Sequence, residues 1–339
     1  MADVLLAQKG TFSIALRSRR PNPNSAEPEI RYRKLRFPGK SAQEAWRFTV
    51  VIRILELIHD SLNHDTIITK RDIYYRHPAL FSSQSVVDRY VDDLACTWGV
   101  PRALLNVTAA AKGLVAGAFR ILKEDGSISD GLADKEGMLI TSLKPSESMD
   151  VSSVKWILVI EKEATFRSLA SSTFWLDVLD GGVLITGKGY PDLATRALMK
   201  SLSVPTARNG FYRIPTFALV DYDPDGLAIF STYKHGSMAL AHESALTLPD
   251  IQWLGLKSAH VADGESVHAE QGLLQLTARD RRKAIRMLER GFGGDDDDMF
   301  RRELQVMLML NLKAEIQLVD SVEGGLVNLL KEELPLSER

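Results

Sequence analysis

The chain has 339 residues, 45% of them apolar and 25% charged, with a net charge of −2; the length suits about two domains and the composition an ordinary globular protein. A single cysteine, Cys96, excludes an internal disulfide framework and a cysteine-built zinc site and points to a reducing compartment. No apolar run reaches the roughly 18–20 residues of a membrane span, and MADVLLAQKG, with an early acid and a lysine inside its apolar stretch, is a poor signal peptide.

Residues 1–40 are expected to form an irregular basic segment: they hold nine Lys/Arg against three Asp/Glu, and PNPNSAEPE is rich in turn formers. A helix is predicted to start at Ser41, where Ser41 and Glu44 fit a capping box. Trp46, Val50, Ile54, Ile58 and Leu62, with Val51 and Leu55, continue it as an apolar stripe. A short strand, TII at 66–68, precedes a second helix capped by Thr69 and Asp72 and limited by Pro78. Ser82 or Ser83 starts a third, with Val87, Tyr90, Leu94 and Trp98 on one face and Gly99 and Pro101 as its stop. LNVTA and GLVAGAFRI, around Lys112-Gly113, read as a hairpin. Three helices and a hairpin over 41–125 are the order of a winged helix of the CAP-like kind, whose third helix is the candidate for a DNA groove. Asp88, Asp92 and Asp93 on the expected outer face of that helix would repel phosphates. Its N-terminal end, with Gln84, Ser85 and Arg89, is the part suited to touch DNA, by shape and backbone contact rather than base readout.

Residues 126–150 are polar and are expected to be a linker. Over 151–335 the pattern changes to strand–helix repeats: WILVI then EATFRSLASSTF, VLITG then PDLATRALMKSL, TFALV then DGLAIFSTYKHG. Such alternation predicts a Rossmann-like parallel α/β sheet, followed by a mainly helical part over 277–331. Residues 279–290 carry six Lys/Arg against two Asp/Glu, which suits a polyanion as well as a solvated face. Asp295–Asp298 read as a solvated acidic loop.

Function in a parallel sheet gathers at the carboxyl ends of its strands. Glu161 closes the first of these strands, and Asp221 and Asp223 close the third, in TFALVDYDPDG. Three carboxylates without cysteine or histidine nearby form a hard-oxygen set of the kind that holds Mg²⁺. The plainer reading of each is a capped turn or a first-turn helix acid. Glu163 and Asp225 are displaced from the set by one or two positions. GKGYPD, at 187–192, lies at another strand end with Pro191 at a helix start, where backbone N–H groups meet phosphates. No P-loop, G-x-S-x-G or H-E-x-x-H occurs. In RDIYYRHPALF, at 71–81, Tyr74 and Tyr75 are neighbours on a helix and cannot share a face. One faces a core and one faces out, and spacing alone does not choose between them. Arg71 is four residues before Tyr75, where a cation favours the phenolate. His77, near the tyrosines, reads as a solvent-facing or structural histidine sooner than as a proton acceptor.

RDIYY with a following LF, EKEATF, GKGYPD, DYDPDG and KAEIQ (313–317) together resemble the topoisomerase VI A-type family over about residues 45–331. The EKEATF form is similar to its eukaryotic meiotic branch, the sporulation-protein-eleven type. The resemblance implies a winged-helix domain followed by a Toprim domain, and a Mg²⁺-dependent DNA transesterase that makes meiotic double-strand breaks, leaving protein joined to 5′ ends through a tyrosine. It implies Tyr75 as nucleophile, Arg71 as the cation that supports it, Glu161, Asp221 and Asp223 as metal ligands, and Lys188 and Tyr190 close to DNA. It also implies a homodimer with shared active sites acting on double-stranded DNA in the nucleus. The partners it implies are other meiotic break proteins and a topoisomerase VI B-like subunit. Three alternatives stay open: the A-type component of a true topoisomerase VI, whose ATPase must be another chain because no ATP site is visible here; a non-catalytic DNA-binding scaffold; and a metal-dependent Toprim nuclease or primase-like enzyme in which the tyrosine is structural.

Overall fold

The computed structural model describes residues 12–18, 32–134, 136–141, 143–144, 146–172, 175, 181–236, 246–262, 273–292, 297–320 and 325–334. The chain divides into two compact units, the first ending at Ala110 and the second holding Ala111–Gly236 and the chain from Leu246 onward.

The first unit opens with strands β1 (Phe12–Arg17) and β2 (Tyr32–Phe37), paired antiparallel with Ile14 opposite Leu35. Over these two stretches this corrects the expectation of an irregular segment over 1–40; residues 1–11 and 19–31 lie outside the described residues. FSIALR and YRKLRF alternate with the period of a strand: Leu16 and Leu35 are buried, Lys34 and Arg36 face out, and Arg33 is half-buried on the Leu35 side; the charge density masks the alternation. Helix α1 (Ala42–Asn63) starts as expected at Ser41, whose hydroxyl accepts from Glu44 N–H. The Glu44 carboxylate does not close the box on Ser41. It accepts from Lys40 N at 2.9 Å and Arg36 N at 3.3 Å, tying the helix start to the end of β2. Phe48, Val51, Ile54 and Ile58 fill the core below.

Strand β3 (Ile68–Thr69) leads into α2 (Lys70–Arg76), where Thr69 and Asp72 form the complete capping box. Pro78 starts a separate turn of helix, α3 (Pro78–Phe81). Helix α4 (Gln84–Trp98) begins after Ser83 and ends at Gly99, whose φ of +66° is the left-handed conformation that glycine adopts without penalty. The expected hairpin does not form. Strand β4 (Val107–Thr108) pairs parallel with β3, and β5 (Leu114–Gly117) belongs to the main sheet of the second unit. All four residues of LVAG are buried, as in a strand covered on both faces rather than one half-exposed in a wing. The division therefore falls after Ala110, not at 125.

In the second unit β6 (Arg120–Leu122), β7 (Ile128–Asp130) and β9 (Ser148–Asp150) form a small sheet with β6 central, and β8 (Met138–Leu139) pairs with β5. Residues 126–150 are thus not a linker. Asp125-Gly126, with Gly126 at φ +80° and Lys123 N–H bonded to Ser127 O, is the tight turn of a hairpin.

The strand–helix repeats form as expected: β10 (Trp156–Ile160), α5 (Glu163–Ala170), β11 (Gly182–Thr186), α6 (Leu193–Ser203), β12 (Thr216–Leu219), α7 (Pro224–His235) and β13 (Gln252–Gly255). The sheet order is β13-β12-β10-β11-β5-β8, with β10–β13 mutually parallel, β5 antiparallel to β11 and β8 antiparallel to β5. Every residue of β10, β11 and β12 is buried. The chain runs from β10 to β11 on one side and returns to β12 on the other, so the topological switch lies at β10. That is where an open α/β sheet leaves its crevice. The remainder is α8 (Ser258–Ala262), β14 (Leu273–Gln275), α9 (Ala278–Arg290), α10 (Asp297–Leu310), β15 (Leu312–Ala314), α11 (Gln317–Asp320) and α12 (Gly325–Glu333), with β14 and β15 paired antiparallel. Of the expected acidic loop, Asp297 and Asp298 instead open α10, and Asp297 accepts from Phe292 N–H; Asp295 and Asp296 lie outside the described residues.

Candidate active site

Helix α2 carries the tyrosine pair on different faces. Ile73 is fully buried, Tyr74 packs against the same core, and Tyr75 is 61% exposed, its ring 5.4 Å from that of Tyr74. Arg71, one helical turn before Tyr75, is exposed on the same face and holds no ion pair among the described residues. The back of the helix is anchored. Lys70 is buried with its ammonium 2.6 Å from Asp92, which also meets Arg102 at 3.1 Å. His77 Nε2 lies 2.5 Å from the Arg53 guanidinium. Because a guanidinium can only donate, this contact occupies the imidazole lone pair and makes His77 a structural residue, as its sequence context suggested.

Two of the three aspartates expected on the outer face of α4 are corrected. Asp92 and Asp93 are buried, Asp92 on Lys70 and Arg102 and Asp93 facing Arg33 at 3.5 Å. They pair with cations of their own unit, and the outer face carries less negative charge than the sequence suggested. Gln84 is half-buried. Arg89 is exposed, its guanidinium 4.7 Å from the Tyr90 ring centre.

In the second unit the three acids meet at the carboxyl ends of β10 and β12, joined largely through main-chain donors. Glu161 Oε2 accepts from Asp221 N–H at 3.0 Å, Asp221 Oδ1 from Ile316 N–H at 2.8 Å, and Asp223 Oδ1 from Gly226 N–H at 2.6 Å as the cap of α7. Burial, reinforced by the charges of Asp221 and Asp223, pushes the Glu161 carboxyl up to about 8. Burial likewise raises Asp221 and Asp223. Like-charged carboxylates in a poorly solvated crevice resist joint ionisation unless a cation offsets them. Among the described residues, Glu161 Oε1 and Asp223 Oδ2 accept no hydrogen bond, so the all-oxygen set has acceptors to spare that fit a hard divalent cation. Among the described residues no three acids are already drawn together as a metal cluster. The nearest positive charge is Lys162, 3.1 Å from Asp221 Oδ2. Glu163 and Asp225 stand apart, as expected: Glu163 pairs with Lys188 and Arg167, and Asp225 with Lys283 and Arg279.

The GKGYPD loop borders this crevice. Gly189 N–H donates to Glu161 O, and Asp192 caps α6 through Thr195 N–H. Tyr190 is exposed, its hydroxyl 2.8 Å from Lys283 Nζ and its carbonyl 2.6 Å from Lys112 Nζ. Lys112 and Lys162 were not named as site residues in the sequence, and Lys283 was read only as part of the basic stretch 279–290. A lysine directly after a strand-end glutamate was the signal for Lys162; the other two come from distant segments that only the fold brings to the loop.

A buried parallel sheet with acids from two adjacent strand ends, following a unit that displays an outward tyrosine, defines an α/β protein with an acidic crevice at its topological switch. Residues 156–334 match the Toprim domain of the family formed by Spo11 and the topoisomerase 6 A-type chains, and residues 46–107 match Type IIB DNA topoisomerase. The chain is 36% identical over 284 residues to the meiotic recombination protein SPO11 of Homo sapiens, covering 83% of this chain and 69% of that protein. It is 34% identical over 319 residues to the meiotic recombination protein rec12 of Schizosaccharomyces pombe, covering 92% and 85%. Against the A-type chain of DNA topoisomerase 6 from Arabidopsis thaliana it is 33% identical over 345 residues, covering 99% and 77%. The chain belongs to the topoisomerase 6 A-type/Spo11 family, and these relatives support its meiotic branch.

Proposed function

We propose that this protein is the DNA-cleaving transesterase of meiotic double-strand-break formation, with Tyr75 as nucleophile. The observation that carries the reading is the asymmetry of the tyrosine pair: Tyr74 is partly buried against the core and Tyr75 stands exposed on the face of Arg71. The Tyr75 oxygen attacks a DNA phosphorus and loses its proton to solvent. The new bond is a phosphotyrosyl ester to the 5′ strand, and the departing 3′ oxygen takes up a proton. A phenol is a weak nucleophile at neutral pH, and Arg71 places a positive charge on the same helix face, where a phosphate would approach. The first unit would serve as a winged-helix-like DNA module in which α4 presents Gln84 and Arg89 to the backbone. Glu161, Asp221 and Asp223 would hold Mg²⁺, which when bound offsets charge on the scissile phosphate and leaving oxygen. Lys188 and Tyr190 would lie along the DNA. Tyr75 of one copy would work with the acids of a second, within a nuclear assembly that includes a B-type partner; any ATP hydrolysis would belong to that partner.

The test is a covalent adduct. Full-length protein, with a B-type partner, is incubated with end-labelled duplex and Mg²⁺ and then denatured. Tyr75→Phe abolishes the adduct, Tyr74→Phe retains it, and label is held on the 5′ side. Cleavage without adduct, or an adduct that survives Tyr75→Phe, overturns the reading. The match to a plant topoisomerase 6 A-type chain along 99% of this one favours a second reading, the A-type component of a strand-passing enzyme. ATP-dependent relaxation of supercoiled DNA in the same mixture would select it.

A further inference from the structure

Lys162 follows Glu161 directly and occupies the position just before α5, with no side-chain bond to the helix start. Its ammonium has three donors and uses them on three acceptors: Asp221 Oδ2 at 3.1 Å, Glu315 Oε2 at 3.0 Å and Gln317 Oε1 at 2.8 Å. Glu315 and Gln317 flank Ile316, whose N–H holds the other Asp221 oxygen. The KAEIQ segment therefore grips Asp221 through its main chain and Lys162 through its side chains. Of the acid oxygens left over by the main-chain donors, Glu161 Oε1 and Asp223 Oδ2 are without donors among the described residues, and Asp221 Oδ2 is the one that a protein cation covers. Glu315 is half exposed and lies outside the three-acid set.

We propose that Lys162 is an exchangeable counter-ion: it neutralises Asp221 when no divalent cation is bound and withdraws onto Glu315 and Gln317 when one occupies the acids. The inference rests on the reading of Glu161, Asp221 and Asp223 as a metal site and adds a role for a positioning residue and its docking place. A single ammonium on a flexible four-carbon stem is suited to this exchange. On leaving Asp221 it retains two of its three partners, and its partly exposed head can complete the third bond with water. Its positive charge close to the site opposes a second cation, and the carboxylate of Glu315 draws it aside.

The experiment is a titration of full-length protein with Mn²⁺, followed by the electron paramagnetic resonance of the free ion, which reads binding independently of cleavage. Lys162→Met is expected to tighten Mn²⁺ on the order of tenfold, the scale of one nearby charge in a partly solvated site, and Lys162→Gln to move it in the same direction. Glu315→Gln is expected to weaken it severalfold, because Lys162 then stays on Asp221. In the double variant Lys162→Met with Glu315→Gln, the Glu315 effect should vanish, since no lysine remains to be drawn aside. Weaker or unchanged binding in both Lys162 variants overturns the proposal, as does a Glu315 effect of equal size without Lys162, which would mean that Glu315 acts on the ion directly. Asp223→Asn separates this from failure of the metal reading. If wild type and Asp223→Asn bind Mn²⁺ alike, or wild type does not bind it, the acids are not the site and both fall together. Thermal melts in EDTA identify any variant that fails to fold.

Discussion

At the scale of single residues, close packing around the GKGYPD loop sets what the site tolerates. Tyr233 on α7 is fully buried, its hydroxyl makes no hydrogen bond of good geometry among the described residues, and burial drives its ionisation well above the usual tyrosine range. A Cβ at Gly187 would sit 2.6 Å from that hydroxyl and 3.0 Å from Pro191 Cα. Gly187→Ala should therefore push the loop away from its place and destabilise the protein by about 1–3 kcal/mol, as overpacking does. Tyr233→Phe, which removes an oxygen that gains little from its surroundings, should be neutral to within about 0.5 kcal/mol or mildly stabilising. The double variant should recover part of the Gly187→Ala loss. Urea unfolding of the four proteins checks this, and strict additivity would show that the two groups do not collide. The candidate acids were legible in the sequence at this scale because strand ends announce themselves. The inward turn of Asp92 and Asp93 was not, because their partners Lys70, Arg102 and Arg33 come from elements whose placement the periodicity of α4 does not encode.

At the scale of elements, local chemistry was the most reliable guide. The Thr69/Asp72 capping box, the Gly99 stop and the three strand–helix repeats formed as read. The departures share a cause, which is that pairing is decided by a distant partner. β5 has no wing to join because its four buried residues need cover on both faces, and Asp125-Gly126 turned an expected linker into a hairpin. The cap of α2 yields a prediction with a sign. Thr69 N–H and the Thr69 hydroxyl both donate to Asp72 at 2.8 Å and hold its carboxyl below the ordinary carboxylate range. The group is more acidic folded than unfolded, so its contribution is complete above the unfolded value and is lost as pH falls through the folded one. Amide protection in the tyrosine helix, taken relative to the intrinsic exchange rate at each pH, should fall below about pH 4, the unfolded aspartate range. Asp72→Ala should remove that acid dependence and, like Thr69→Ala, cost about 1 kcal/mol at neutral pH. Unchanged acid dependence in Asp72→Ala would assign the effect to another carboxyl.

At the scale of the molecule, the division after Ala110 is open to test by fragments. A piece beginning at Ala111 keeps β5 between β11 and β8, whereas one beginning at residue 126 strips a fully buried strand and leaves both neighbours unpaired. The first should melt cooperatively. The second should aggregate or lose its sharp transition, and equal behaviour of the two would place the boundary later. The same sheet explains how the acids keep their posture. Glu161 and Asp221 are oriented by the N–H groups of Asp221 and Ile316, and Tyr222 and Ala314 exchange main-chain bonds alongside. A main-chain amide is present whatever side chain the residue carries, and proline alone removes it. Such a scaffold is indifferent to most spelling changes around it. Lineages that share only about a third of their residues with this chain can inherit the posture of the acids while the surrounding side chains drift, and a saturation scan of Ile316 would find many apolar residues admitted and proline refused.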